Sequence, residues 1–109
     1  MRLVIAVVQD QDASPLMDAL VDQGFRATKL ATTGGFLRQG NTTLLIGVED
    51  GQVDAVVDVV KSVCHSRTQL IPPVSAVARS AESYVGQPLE VPVGGATIFV
   101  LDVDRFEKV

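Results

Sequence analysis

The chain has 109 residues, 47% of them hydrophobic, and 13 acidic against 9 basic residues give it a net charge of −4. That length holds one domain, and that hydropathy excludes an intrinsically disordered chain. The acidic balance, with no polybasic run and no aromatic series for stacking bases, argues against DNA or RNA as a partner. No apolar run nears the roughly 20 residues of a membrane span, so no membrane insertion is expected. The N-terminus MRLVIAVVQD lacks a small-residue cleavage site and reads as a strand rather than a signal peptide. The single cysteine, Cys64, allows no internal disulfide, which suits a reducing cytoplasm.

Leu3 to Val8 is a continuous β-branched run, the signature of a central strand. Ser14 followed by Pro15 predicts an N-cap with proline at the first helical position, and Asp10 and Asp12 favour the same helix end through its dipole. The helix is expected over about 13–23, with Leu16, Met17, Leu20 and Val21 on one face and Gly24 as its stop. Phe25 to Thr32 alternates as a half-exposed strand, with Phe25, Ala27 and Leu30 on one side and Arg26 and Thr28 on the other. A loop over about 33–40, punctuated by Gly34-Gly35, leads to a third strand, Asn41 to Val48.

Glu49-Asp50-Gly51 opens a second helix, whose buried stripe is Val53, Val56, Val57, Val60, Val63 and Cys64. Thr68 to Ile71 has the look of a short strand inside a loop region of about 66–92. Its stretch from Pro72 to Pro92, about 20 residues, is too long for an ordinary turn and reads as a mobile or functional loop. Thr97 to Val103 is the last strand.

The order β-α-β-β-α-β over a single domain, residues 1–109, is a ferredoxin-like α+β arrangement, with two helices on one face of an antiparallel sheet. The other face is open, and its valine-rich strands predict burial against further copies of the chain, a homotrimer.

One window stands apart. From Gln23 to Val48, 26 residues, there is no Asp or Glu, where the chain average of 13 in 109 predicts about 13/109 × 26 ≈ 3. The window carries Arg26, Lys29 and Arg38, a local charge of +3. Basic side chains, hydroxyls and glycine backbone without acidic neighbours suit an anionic, phosphate-bearing small molecule.

The opening strand ending Val8-Gln9-Asp10, the segment GFRATKLATTGGFLRQGNTT and the run Val93-Gly94-Gly95-Ala96-Thr97-Ile98-Phe99-Val100 together resemble the PII-like cyclic di-AMP receptor family over nearly the whole chain. The resemblance implies a cytoplasmic signal-transduction protein, a trimer with the nucleotide at subunit clefts against the bases of two long loops, here Thr33 to Gly40 and about Ser66 to Pro88. It places ligand contacts at Arg26, Thr28, Gly35, Phe36, Leu37, Asn41, Gly47 and Phe99. Where the family can offer a glutamine near the C-terminus, this chain has Lys108, whose ammonium can meet a phosphate. No cofactor beyond the ligand cyclic di-AMP is implied.

The residue types fit that chemistry. Arg26 can fork onto a phosphate or stack on a base, and the Thr28 hydroxyl can donate to a phosphate oxygen. Gly35 lets backbone approach closely. Phe36, Leu37 and Phe99 offer apolar walls to an adenine face, and Asn41 presents a donor and an acceptor to an adenine edge. Gly47 within a strand suits a close backbone approach. Each also has a plainer reading: a solvated strand face for Arg26 and Lys29, subunit packing for Phe36 and Leu37, turn chemistry for Gly34, Gly35 and Gly40, a bulge at Gly47, core at Phe99, and a buried spectator thiol at Cys64.

Enzyme signals are missing. There is no GxxxxGK[ST], no HExxH, no cysteine pair and no histidine cluster for a metal. The expectation is therefore a non-enzymatic receptor whose ligand changes loop conformation to regulate a downstream protein. The alternatives are a nitrogen-type PII regulator of ATP and ADP, which usually carries a longer loop with a tyrosine, and a trimeric structural or cation-tolerance module without nucleotide. Neither RxxxR nor DxSxxG is present to point to the guanine dinucleotide.

Overall fold

The apolar runs and helical stripes assemble as a two-layer α+β fold. The computed structural model describes residues 1–30, 40–71 and 89–109. Its elements, in chain order, are β1 (Arg2–Gln9), α1 (Asp10–Asp22), β2 (Ala27–Leu30), β3 (Asn41–Val48), α2 (Val53–Cys64), β4 (Arg67–Ile71), β5 (Leu89–Val93) and β6 (Ala96–Asp102). Four strands form one antiparallel sheet in the order β2-β3-β1-β6. β3 thus sits between β1 and β2 and splits the β1-α1-β2 unit, as a ferredoxin-like fold requires. β4 and β5 pair only with each other, as a separate ribbon.

β1 pairs along its length with β3 on one side and β6 on the other, in registers that set Ile5 opposite both Leu45 and Phe99, and Leu3 opposite both Gly47 and Leu101. The two-residue period of a strand then sorts the side chains. Val4, Ala6 and Val8 of β1 and Leu44, Ile46 and Val48 of β3 face the helices and are buried. Leu16 and Leu20 of α1 and Val56, Val59, Val60 and Cys64 of α2 close over them. Valine is a modest helix former, but its i, i+3, i+4 spacing in α2 buries a continuous stripe, and packing outweighs propensity. Val53 and Val63 lie at the stripe's edge, and Val59, outside the expected set, joins it.

Several boundaries differ from the sequence reading. α1 begins at Asp10, one turn early, with Gln9 as its N-cap and Ser14-Pro15 inside the helix. Pro15 removes the hydrogen bond to the Gln11 carbonyl. The helix nonetheless starts early because Asp12 and Ala13 extend the buried stripe of Leu16 and Leu20 by a turn. Val21 is 61% exposed and is not part of that stripe.

Leu30 also departs from its expected side: it faces away from the helices with Thr28, while Phe25 and Ala27 pack on the core. Glu49-Asp50-Gly51 leads first into a 3₁₀ turn, Asp50–Gln52, held by a reciprocal Glu49–Gln52 capping box, and only then into α2. The expected short strand Thr68 to Ile71 is present as β4, one residue longer at its start; the far end of the expected 66–92 loop is instead a strand, 89–93, paired with it, and β6 starts one residue early. The strand character of 89–93 was obscured by Pro92 and by its exposure.

Ile46 is fully buried on the helix-facing side of β3, between Val4 of β1 and Ala27 of β2. Ile46→Ala is expected to cost about 2–5 kcal/mol, read as a lower midpoint with unchanged slope in urea unfolding.

Candidate functional site

The one-sided helix layer leaves the second face of the sheet uncovered in a single copy. That face carries Leu3, Ile5 and Val7 of β1, Thr28 and Leu30 of β2, Thr43, Leu45 and Gly47 of β3, and Phe99 and Leu101 of β6, by register. Phe99 is 51% exposed, Leu101 48% and Leu30 40%. Ile5, Val7, Leu30, Thr43, Leu45, Phe99 and Leu101 line a shallow apolar depression of about 390 Å³. The Thr43 hydroxyl at its floor is buried and has no hydrogen-bond partner among the described residues.

The described candidate residues lie on this face or at its margins. Thr28, Leu45, Ile5 and Phe99 form one row across all four strands. Gly47 lies one pair further along β3, opposite Leu3, and its surface is open; an added Cβ would meet only the Met1 Cε at 3.6 Å. Arg26 is exposed immediately before β2, where continuing the ladder brings it level with Gly47. Asn41 is half-buried at the far end of β3, paired with Gln9. The strands thus bring Arg26, Thr28 and Gly47 together at the β2–β3 side of the face, place Phe99 in the row of Thr28 but on the opposite edge strand, β6, and set Asn41 at the far end of β3. Gly35, Phe36 and Leu37, with Gly34, lie outside the described residues. Lys108 is exposed beyond β6.

A second cluster, absent from the sequence reading as a site, forms where β1 runs into α1. The Asp10 backbone N–H donates to the Gly40 carbonyl at 2.9 Å, and the Thr42 hydroxyl donates to Asp10 Oδ1 at 2.5 Å. Asp12 is 3% exposed and forks with Arg67, whose Nη2 donates to Oδ1 at 2.7 Å and whose Nη1 donates to Oδ2 at 3.3 Å. Arg67 Nη1 also donates to the His65 carbonyl at 3.1 Å, and the guanidinium is held above its ordinary pKa chiefly by hydrogen bonding to Asp12.

The Gly94 N–H donates to Gln9 Oε1 at 2.7 Å, and the Gly95 N–H to the Cys64 carbonyl at 2.5 Å. Both glycines have positive φ, 85° and 87°, and a Cβ on Gly94 would collide with the His65 carbonyl and with Arg67 Nη1 at 2.7 Å. Asp12 falls four residues before Leu16 on the buried stripe. A carboxylate there needs a partner, and that spacing is the signal that could have found it.

The two clusters offer charged and hydrogen-bonding groups: Arg26 and Thr28 at the sheet face, and Asp10, Asp12 and Arg67 at the junction. No group of three or more metal-ligating side chains forms among the described residues, and no helix there is long and apolar enough to cross a membrane.

The family model of cyclic-di-AMP receptors matches residues 1–109. The chain belongs to the cyclic-di-AMP receptor family. Its fold is also that of a crystal structure described as a functionally unknown protein from Pediococcus pentosaceus, with a TM-score of 0.77 and 46% identity over 99% of this chain and 96% of that one. Membership agrees with the ferredoxin-like, PII-like architecture built above and makes the chain one of a receptor family.

Burial pushes the Cys64 thiol up to about 11, with the Asp12 charge adding and Arg67 opposing. Because the folded value lies above the ordinary 9.0, the protonated thiol's contribution to stability is complete below about pH 9 and is lost as pH rises through about 11. Alkylation at pH 8 is expected to be at least tenfold slower in the folded chain than in urea. Equal rates would mean that the thiol is neither buried nor shifted.

Proposed function

We propose that this chain binds cyclic di-AMP in clefts between copies of itself and signals by changing the loops around the ligand, thereby regulating a protein partner inside the cell. The observation that carries this reading is the family match over the whole chain. The geometry supports it. Thr28, Gly47 and Phe99 share the sheet face that is apolar and uncovered in one copy, with Arg26 at its edge.

A ligand seated there meets two walls once a second copy covers the face. Arg26 and Thr28 supply charge and a hydroxyl for phosphate, Phe99 an aromatic wall for a base, and Asn41 an amide for an adenine edge. Gly35, Phe36 and Leu37 complete the proposed set.

The same face supports the trimer of this reading. Phe99, Leu101 and Leu30 are apolar and 40–51% exposed, and apolar area of that kind is buried at obligate interfaces. Light scattering is expected to give three copies, and Phe99→Asp is expected to yield monomer; a wild-type monomer at micromolar concentration would rule the trimer out.

Calorimetric titration tests the ligand. Cyclic di-AMP is expected to saturate near one per subunit, with cyclic di-GMP and ATP at least tenfold weaker. Arg26→Ala and Asn41→Ala are each expected to weaken cyclic di-AMP at least tenfold while the oligomer persists. Wild-type affinity in both variants would remove them from the site.

A further inference from the structure

The β4–β5 ribbon is attached to the body at its base. None of its described residues is buried, and Leu70 and Leu89 are more than half exposed. Its strands pair only with each other. The side-chain bonds that hold its base are Arg67 to Asp12 and the Gly94 N–H to Gln9, with the Gly95 N–H on the Cys64 carbonyl beside them. Asp10, between Gln9 and Asp12 in sequence, grips Gly40 and Thr42, where the chain enters β3. Three residues within one four-residue junction therefore hold the entry to β3 and the base of the ribbon at the same time.

Resting on the cyclic di-AMP reading, we infer that Gln9, Asp10 and Asp12 form a coupling junction, and that the Asp12–Arg67 ion pair is the latch that holds the β4–β5 ribbon in register with the Asn41 end of the ligand site. The energetics favour a latch over a passive contact. Asp12 is 3% exposed at the first turn of α1, while the Arg67 side chain is 33% exposed. A buried carboxylate stripped of its bidentate partner is strongly disfavoured and regains water by opening. The element free to move is the ribbon, because β1, β3 and β6 are locked in the sheet. The Gly94-Gly95 pair, with φ near +85° at both residues, lets the chain turn from ribbon to sheet against the guanidinium without a Cβ in the way. Asp12 and Arg67 are positioning residues: they act on the site through the ribbon and the junction.

The test compares the wild type, R67Q and the double variant D12N/R67Q, in which no unpaired charge remains, by amide hydrogen exchange with and without cyclic di-AMP, and by calorimetry. Without ligand, ribbon amides at 67–71 and 89–93 are expected to exchange at least tenfold faster in both variants, with the β1–β3 ladder unchanged. Cyclic di-AMP is expected to protect both Asn41–Thr43 and the ribbon in the wild type but only Asn41–Thr43 in the variants, with affinity at least tenfold lower. Ribbon exchange at wild-type rates in both variants overturns the latch. Unchanged affinity, or equal ligand protection of the ribbon, overturns the coupling. A wild-type chain that does not bind cyclic di-AMP overturns the functional reading and the coupling built on it, while the ligand-free exchange rates still decide the latch.

Discussion

The structure hangs on β1, a strand paired over its whole length with β3 and from Arg2 to Val8 with β6. A strand so placed has no free ladder edge. Its only freedom is which side chains face which side, and the two-residue alternation decides that. Val4, Ala6 and Val8 go to the helices, and Leu3, Ile5 and Val7 to the other face. A slip of one residue would exchange the sets, but both sets are apolar. The register is therefore held by neighbours as well: Thr42 on Asp10 and Gly40 on the Asp10 amide pin the end of the strand.

That arrangement makes the second face of the sheet a consequence rather than an ornament. Helices cover one side only, so the remaining apolar row, Ile5, Leu45 and Phe99 with Thr28 at its end, faces outward in a single copy. The acid-free, cationic approach to β2 leads onto that same face. The apolar row and the acid-free, cationic window thus occupy adjacent positions of the same strands.

The end of β1 has a second role. There the chain leaves the sheet, starts α1 and, within four residues, bonds to the start of β3 and to the base of the ribbon. The charges at that helix start serve its dipole, but Asp12 is spent on Arg67 in a buried fork. A helix N-terminus that is also a joint explains why α1 begins a turn before its Ser-Pro signal.

Much of this was legible in the residues. Asn41–Val48 came out with its boundaries, and the helix stop at Gly24 is a left-handed residue with φ 85°. The split β-α-β order also emerged, because continuous β-branched runs and valine stripes at helical spacing mark strands and helices locally. Local chemistry could also mark the acid-free window and the motif that ties the chain to its family. It could not show that Leu30 faces away from the core, that 67–71 and 89–93 pair with each other, or that Asp12 and Arg67, 55 residues apart, form an ion pair. Composition and period by themselves determined which segments become strands and helices and which stretch is acid-free and cationic, since those depend on neighbours within a turn or two. Only the tertiary structure decided which face each strand shows, where the ribbon is tied and how a buried charge is neutralised, because each is settled by a partner far away in sequence.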